Sequence, residues 1–281
     1  MGVTMRTFKL FDNDGNSYDV TTKNDLFFYG IDGLGFEQAT EFQRIEDRYA
    51  LLSNYTAQTK IKGSIKFWQP NAERKYFDFA QFCQNSPIRM EYNPKYGVFS
   101  RFGYITKIER SDGKGDSLEI TLEFTPRTPW FKTIAEYNDG IIEGGKVYNY
   151  TYNYTYSTAT VNSVTIDSDS YQSSPVKLII FGPATNPTWR HYLNNVLQSS
   201  GKLNGSVLAN HKLVIDTTTI PYSIKQFDML GNLVSDMYQQ SDFATERFVR
   251  FGRGRNTVAF TAENTNTLNV GVEAQIEYAT V

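Results

Sequence analysis

Apolar and polar side chains alternate strictly over residues 59 to 68, TKIKGSIKFW. Ile61, Gly63, Ile65 and Phe67 fall on one face and Lys60, Lys62, Ser64, Lys66 and Trp68 on the other, the pattern of a half-buried strand. Residues 8 to 20, FKLFDNDGNSYDV, hold two short runs around Asn13, Asp14, Gly15 and Asn16, which predicts a hairpin with a tight turn. Residues 26 to 36, LFFYGIDGLGF, read as a strand ending in a bend, and further strands are expected at 88 to 93, 98 to 110 and 117 to 125. The spacing of Tyr76, Phe79, Ala80 and Cys83 predicts one α-helix over about 72–86, with Pro70 and Asn71 as start signals and Pro87 as the stop. Later come VKLIIFG (176 to 182), KLVIDTTT (212 to 219), YSIKQFD (222 to 228), FVRFG (248 to 252), NTVAFTAE (256 to 263) and LNVGVEAQIEYA (268 to 279). Short strands with turn signals at such intervals predict a β-sandwich.

The segment from 37 to 58 conflicts with its flanks. Phe42, Ile45, Tyr49 and Leu52 recur at near-helical spacing between two strand-like runs. Twenty-two residues are too many for a hairpin loop of about 2–5 residues. Phe42, Ile45, Tyr49, Leu51 and Leu52 are too apolar for a free loop, while Glu37, Glu41, Arg44, Glu46, Asp47 and Arg48 are too charged for a core element. A projecting arm that buries its apolar side on another subunit satisfies both, and an amphipathic helix on the same domain is the alternative.

Length changes this picture into one of two domains, since 281 residues exceed the usual single-domain size. Pro126 and Pro129 in LEFTPRTPWF end the first run of strands, which sets the expected boundary at 1–133 and 134–281. Charge supports it, with 35 Asp, Glu, Lys and Arg in the first 133 residues and 23 in the following 148. The net charge of −2 lacks the positive excess that sequence-independent nucleic-acid binding needs. One cysteine, Cys83, and two histidines, His191 and His211, form neither a disulfide nor a closed zinc site. Cys83 falls on the apolar stripe of the helix and reads as a buried thiol. No segment reaches the ~18 apolar residues of a membrane helix and no signal peptide is evident, so a cytosol-like compartment is expected and the N-x-T sequons at Asn54, Asn149 and Asn153 carry no meaning.

Candidate chemistry is sparse. Asp12, Asp14 and Asn16 start like a calcium loop, but Ser17 stands where the loop needs Gly and Lys23 where it needs Glu. Gly30, Gly33 and Gly35 lack phosphate-loop spacing. Asp167, Asp169, Asp216, Asp236 and Asp242 lie beside Ser, Thr or turn residues and read as caps, not as a glycosidase pair; no G-x-S-x-G is present to seat a nucleophile. No catalysis, metal or cofactor is expected. VYNYTYNYTYS (147 to 157) would place Tyr148, Tyr150, Tyr152, Tyr154 and Tyr156 on one strand face, to bind a sugar, meet a neighbouring subunit or pack on its own domain. Trp189, His191 and Tyr192 form the best candidate for a sugar-facing cluster, with a surface loop as the plain alternative. RGR at 253 to 255 reads as a turn.

In the second half, FGPATNPTW (181 to 189), Gly201, Asn204, Gly205, KLVIDTTT, Asn232 in a turn, SDF (241 to 243) and GRGRNTVAF form a frame. That frame resembles the distal tail proteins of bacteriophages with long non-contractile tails, and the first half agrees through its hairpin start, its single helix after a lysine-rich strand and the closing TPRTPWF. The resemblance implies a mainly β protein with two β-sandwich-like domains. The N-terminal one closes a hexameric ring and carries a β-hairpin belt that grips the ring neighbour; the C-terminal one is a galectin-like jelly-roll sandwich. It also implies partners: other copies of itself, the major tail tube protein, a tail-associated tip protein and receptor-binding proteins, in a virion assembled in the host bacterial cytoplasm. The belt makes an extended hairpin the preferred reading of 37–58. A carbohydrate-binding β-sandwich protein recognising host-surface glycans is the rival function. Few core charges and many aromatics suit a ring component, because aromatics supply contact area at low entropic cost.

Overall fold

The computed structural model describes residues 6–21, 26–111, 117–138, 162–263 and 267–281. The protein is mainly β. It separates into two units, Met1–Lys132 together with Tyr278–Val281, and Thr133–Glu277.

The first unit begins with β1 (Thr7–Phe11), β2 (Ser17–Asp19) and β3 (Leu26–Asp32), then β4 (Gln38–Ile45) and β5 (Arg48–Thr56), then β6 (Ile61–Trp68). The helix α1 (Ala72–Gln84) follows, then β7 (Ile88–Asn93), β8 (Phe99–Ser111), β9 (Ser117–Pro126) and β10 (Trp130–Asn138), whose residues from Thr133 on belong to the second unit. One antiparallel sheet runs in the order β2-β1-β7-β8-β9-β6-β3. Val20 joins its ends, donating its N–H to Phe8 O and accepting from Phe28 N, so the sheet curls on itself. Its inside is an aromatic-rich core that includes Phe8, Leu10, Ile61, Ile65, Phe67, Met90, Leu122 and Phe124. The alternation of β6 is realised, with Ile61, Gly63, Ile65 and Phe67 buried and the lysines outside. Gly63 belongs there because a Cβ would stand 2.5 Å from the Phe28 ring.

Helix α1 covers this core with Phe79, Phe82 and Cys83, and Tyr18 meets the Phe79 ring edge-on at 5.5 Å. Asn71 precedes the helix in a left-handed conformation, φ 68°, without a side-chain capping bond; its contribution is the carbonyl that accepts from Lys75 N. The first turn is closed by Asp12, which accepts from Asp14 N, Asn16 N and the Asn16 and Asn85 side-chain amides. Those bonds hold its carboxyl below the usual range although burial works against them. They use the oxygens a cation would need.

The second unit contains β11 (Ser163–Ser168), β12 (Ser174–Phe181), β13 (Ala184–Thr185), β14 (Thr188–Leu193), β15 (Val196–Lys202), β16 (Ser206–Val207) and β17 (His211–Asp216). It continues through β18 (Ser223–Asp228), β19 (Leu233–Asp236), β20 (Arg250–Phe251), β21 (Gly254–Thr261) and β22 (Val270–Tyr278). A sheet β19-β18-β17-β12-β22 and a sheet β11-β21-β14-β15 supply the buried Leu178, Ile180, Leu213, Ile215 and Val272 on one side and Val164, Ile166, Trp189, Val258 and Phe260 on the other. The strand expected over 248–252 shrinks to Arg250–Phe251, because Phe248 turns to pack against Tyr222 and Tyr238.

Candidate functional surfaces

The segment 37–58 is an antiparallel hairpin, paired from Gln38↔Thr56 to Ile45↔Arg48 with a bulge at Glu41 and Phe42. Its turn is Glu46–Asp47, with Glu46 at φ 53° and Arg44 Nε donating to Glu46 O at 3.0 Å. Phe42, Ile45, Tyr49, Leu51, Leu52 and Tyr55 are all exposed, Tyr49 to 70%. Cross-strand partners share a face. Phe42 therefore lies with Leu51 and, two residues along, with Tyr49, while Ile45 and Tyr55 lie on the opposite face. Both faces of the hairpin carry exposed apolar side chains among charged ones. Large apolar side chains exposed together in this way mark a contact surface.

At the root of the arm lies a cleft of about 210 Å³ lined by Thr56, Ala57, Gln58, Arg101, Arg127 and Tyr278 among others. Gln58 Nε2 donates to Pro126 O at 2.6 Å and fixes the root to the end of β9. Arg101 is only 8% exposed; its Nε donates to Thr128 O at 2.7 Å and its guanidinium stands 5.6 Å from the Trp130 ring. Burial pulls its pKa down to about 10.

The sugar-facing reading of Trp189, His191 and Tyr192 is corrected. These residues form β14, not a loop, and β14 is hydrogen-bonded on both sides, to β15 and β21. Trp189 is fully buried, its Nε1 donating to Arg247 O at 2.8 Å. His191 is buried too, 3.0 Å from Asn256 Oδ1 and stacked on Phe251 at 5.2 Å. Inward positions of a central strand cannot present rings to a sugar; only Tyr192 is partly exposed. The tyrosines Tyr148, Tyr150, Tyr152, Tyr154 and Tyr156 lie outside the described residues.

Asp216 accepts from Thr218 N and Thr218 Oγ1, both at 2.7 Å, as a turn carboxylate does. Cys83 is buried, and burial pushes its thiol up to about 12. Among the described residues no group of three or more His, Cys, Asp or Glu side chains could hold a metal, and no helix is long and apolar enough to cross a membrane.

A groove of about 800 Å³ escaped the sequence reading. Tyr222, Tyr238 and Phe248 line it with Ser223, Lys225, Asp236 and Gln239. These residues come from three separated segments that no single motif joins. The GRGR segment is a turn organised by Asn256, fully buried, whose amide donates to Gly252 O and Gly254 O and accepts from Gly252 N.

Comparison with known proteins gives a consistent answer. The family model described as the distal tail protein N-terminal domain matches residues 7–127. Among solved structures, a chain of the phage P2 baseplate in its activated conformation with calcium is similar at 15% identity and TM-score 0.68, covering 99% of this chain and 100% of that one. The corresponding structure with strontium gives 14% and 0.67 over 99% and 100%. The SPP1 Dit protein, described as a paradigm of the hub adsorption apparatus of phages infecting Gram-positive bacteria, gives 8% identity and TM-score 0.61, covering 95% of this chain and 98% of that one. No curated protein sequence matches.

Proposed function

We propose that the chain is a ring-forming hub at the distal end of a phage tail, a reading supported by the match of residues 7–127 to the distal tail protein N-terminal domain. In this reading copies of the chain close a hexameric ring, join the tail tube to the tail-tip proteins and carry adhesion components on the galectin-like second domain. The role is structural, without catalysis. The observation that carries it is the β4–β5 hairpin, which exposes large apolar side chains on both faces. Exposed apolar surface of this kind marks a site that another surface covers, and a second copy supplies one.

Light scattering of the purified protein tests this reading. The expected mass is about six times the 32.1 kDa of one chain, and replacing residues 40–56 by a short Gly-Ser bridge is expected to return the mass of a single folded chain. A deletion variant that still runs as the full ring sinks the arm hypothesis.

Glycan binding remains as a second reading because of the groove. Tyr222, Tyr238 and Phe248 give it aromatic walls and Lys225, Asp236 and Gln239 give it polar ends, the composition of a sugar subsite. Glycan-array binding that Tyr222→Ala and Tyr238→Ala abolish, without change in assembly, would favour it.

A further inference from the structure

Buried charges in proteins are paired, because an ion removed from water without a partner costs several kcal/mol. Arg101 meets no carboxylate among the described residues; besides one hydrogen bond its guanidinium faces only the Trp130 ring. The residue is 8% exposed, its guanidinium offers five N–H donors, and among the described residues it makes one hydrogen bond, to Thr128 O, and no ion pair. It lines the root cleft together with Arg127, which also makes no ion pair among the described residues, and no acidic side chain lines that cleft. The site is therefore cationic, preformed and of a volume suited to a carboxylate.

We propose that this cleft receives the acidic tip of the neighbouring copy's arm, Glu46 or Asp47, so that each arm docks at the root of the next. The proposal rests on the ring reading above and adds the seat that the arm occupies. Charge complementarity selects the occupant. Residues 37–58 hold four acidic and two basic side chains. Glu46 makes no ion pair among the described residues. Asp47 has only a 3.9 Å contact to Arg44, both side chains being largely exposed; such a pair contributes little and exchanges readily. Thr56 and Ala57, at the foot of β5, belong to the lining of the cleft, so an arriving tip would meet the start of the next arm and the arms would run end to end.

A geometric consequence follows. The eight residues of β4 span roughly 26 Å at ~3.3 Å per residue. In a six-membered ring the separation of equivalent points on neighbours equals their distance from the axis. Arms joined tip to root therefore form a belt of about 26 Å radius, a value electron microscopy of the ring can read.

The test uses the full chain, light scattering for mass and circular dichroism for strand content. The double variant Glu46→Lys with Asp47→Lys is expected to keep the native spectrum and fall to one chain. Arg127→Glu, on an exposed residue, avoids perturbing the core and is expected to weaken assembly. Combining it with Asp47→Arg is expected to restore the ring by reversing the pair. A tip-reversed protein that still forms the complete ring, or a combined variant no better assembled than Arg127→Glu alone, overturns the docking site while leaving the ring reading intact. A wild-type protein that stays a single chain at every concentration overturns both.

Discussion

At Asn256 and His191 one asparagine organises an entire turn. Asn256 uses both of its side-chain atoms inside the second unit, and His191 Nε2 is its remaining neighbour. Because Asn256 Oδ1 already accepts from Gly252 N, His191 serves it as the Nε2–H donor, in the neutral form. Replacing Asn256 by Ala leaves several buried groups unpaired and is expected to cost roughly 3 kcal/mol, read in urea unfolding followed by Trp189 fluorescence. Burial also lowers the pKa of His191 below 6.5, although the bond to Asn256 opposes it. The unfolded chain then binds a proton more readily than the folded one, so this contribution is complete above pH ~6.5 and is lost as pH falls toward the folded pKa. Glu277 acts in the opposite sense at lower pH, since burial raises its pKa. The difference between wild type and His191→Gln therefore isolates the effect: between pH 7.5 and 5.5 wild type is expected to lose more stability than the variant. Equal losses would refute it. The sequence placed Trp189, His191 and Tyr192 correctly beside one another but could not show which way they turn. The signal lay in the next residues, where Asn194 and Asn195 take φ 49° and 67°, the turn of a hairpin that makes TWRHYL a strand. Gly201 in the partner strand is equally informative, because a Cβ there would stand 2.4 Å from the Trp189 ring.

Periodicity decided most elements and misled at one. The strict alternation of β6 and the helical stripe of α1 appear where the spacing predicted them, because each buries one face and exposes the other. Replacing Phe79, fully buried between Phe67 of β6 and Phe82 of its own helix, by Ala should cost about 3–5 kcal/mol. Denaturant unfolding of the first unit measures it, and a cost under 1 kcal/mol would mean that the helix does not hold the core. The arm carries the opposite lesson. Its apolar residues sit on both faces of a bulged hairpin, so no period of two survives, and the remaining spacing imitates a helix. Length and the charge mixture pointed past that imitation. No pattern within the element could identify the surface that covers it, since that surface is not part of the element. Three charged groups meet at the foot of the β6–β9 ladder: Glu123 faces Lys60 at 2.7 Å and Lys62 at 3.4 Å. These bonds, led by that from Lys60, hold its carboxyl down to about 2.

For the molecule as a whole, a cut near residue 133 follows from Pro126, Pro129 and the drop in charge density, but the chain does not respect a single cut. Tyr278–Val281 belong to the first unit. The Tyr278 ring meets Phe99 edge-on at 5.3 Å, Lys132 Nζ lies 5.5 Å from its centroid, and Val281 packs against the first core. Such a return is invisible to composition, since four residues carry no compositional signal and β22 runs into them without a break. It has a measurable outcome. Trp68 and Trp130 report on the first unit and Trp189 on the second, so a Trp189→Phe background leaves fluorescence from the first unit alone. In that background Tyr278→Ala is expected to lower the stability of the first unit by about 2–3 kcal/mol, the loss of a partly buried ring and its aromatic partner. With Trp68 and Trp130 replaced by Phe instead, the same substitution is expected to leave the Trp189 transition within about 0.5 kcal/mol of its parent. The fragment 133–277 should accordingly unfold cooperatively by itself, whereas 1–132 should be less stable than the same unit in the full chain. If Tyr278→Ala shifted only the Trp189 transition, the last four residues would belong energetically to the second unit, and a sequential division near residue 133 would describe the molecule better than the one in which its end returns to its beginning.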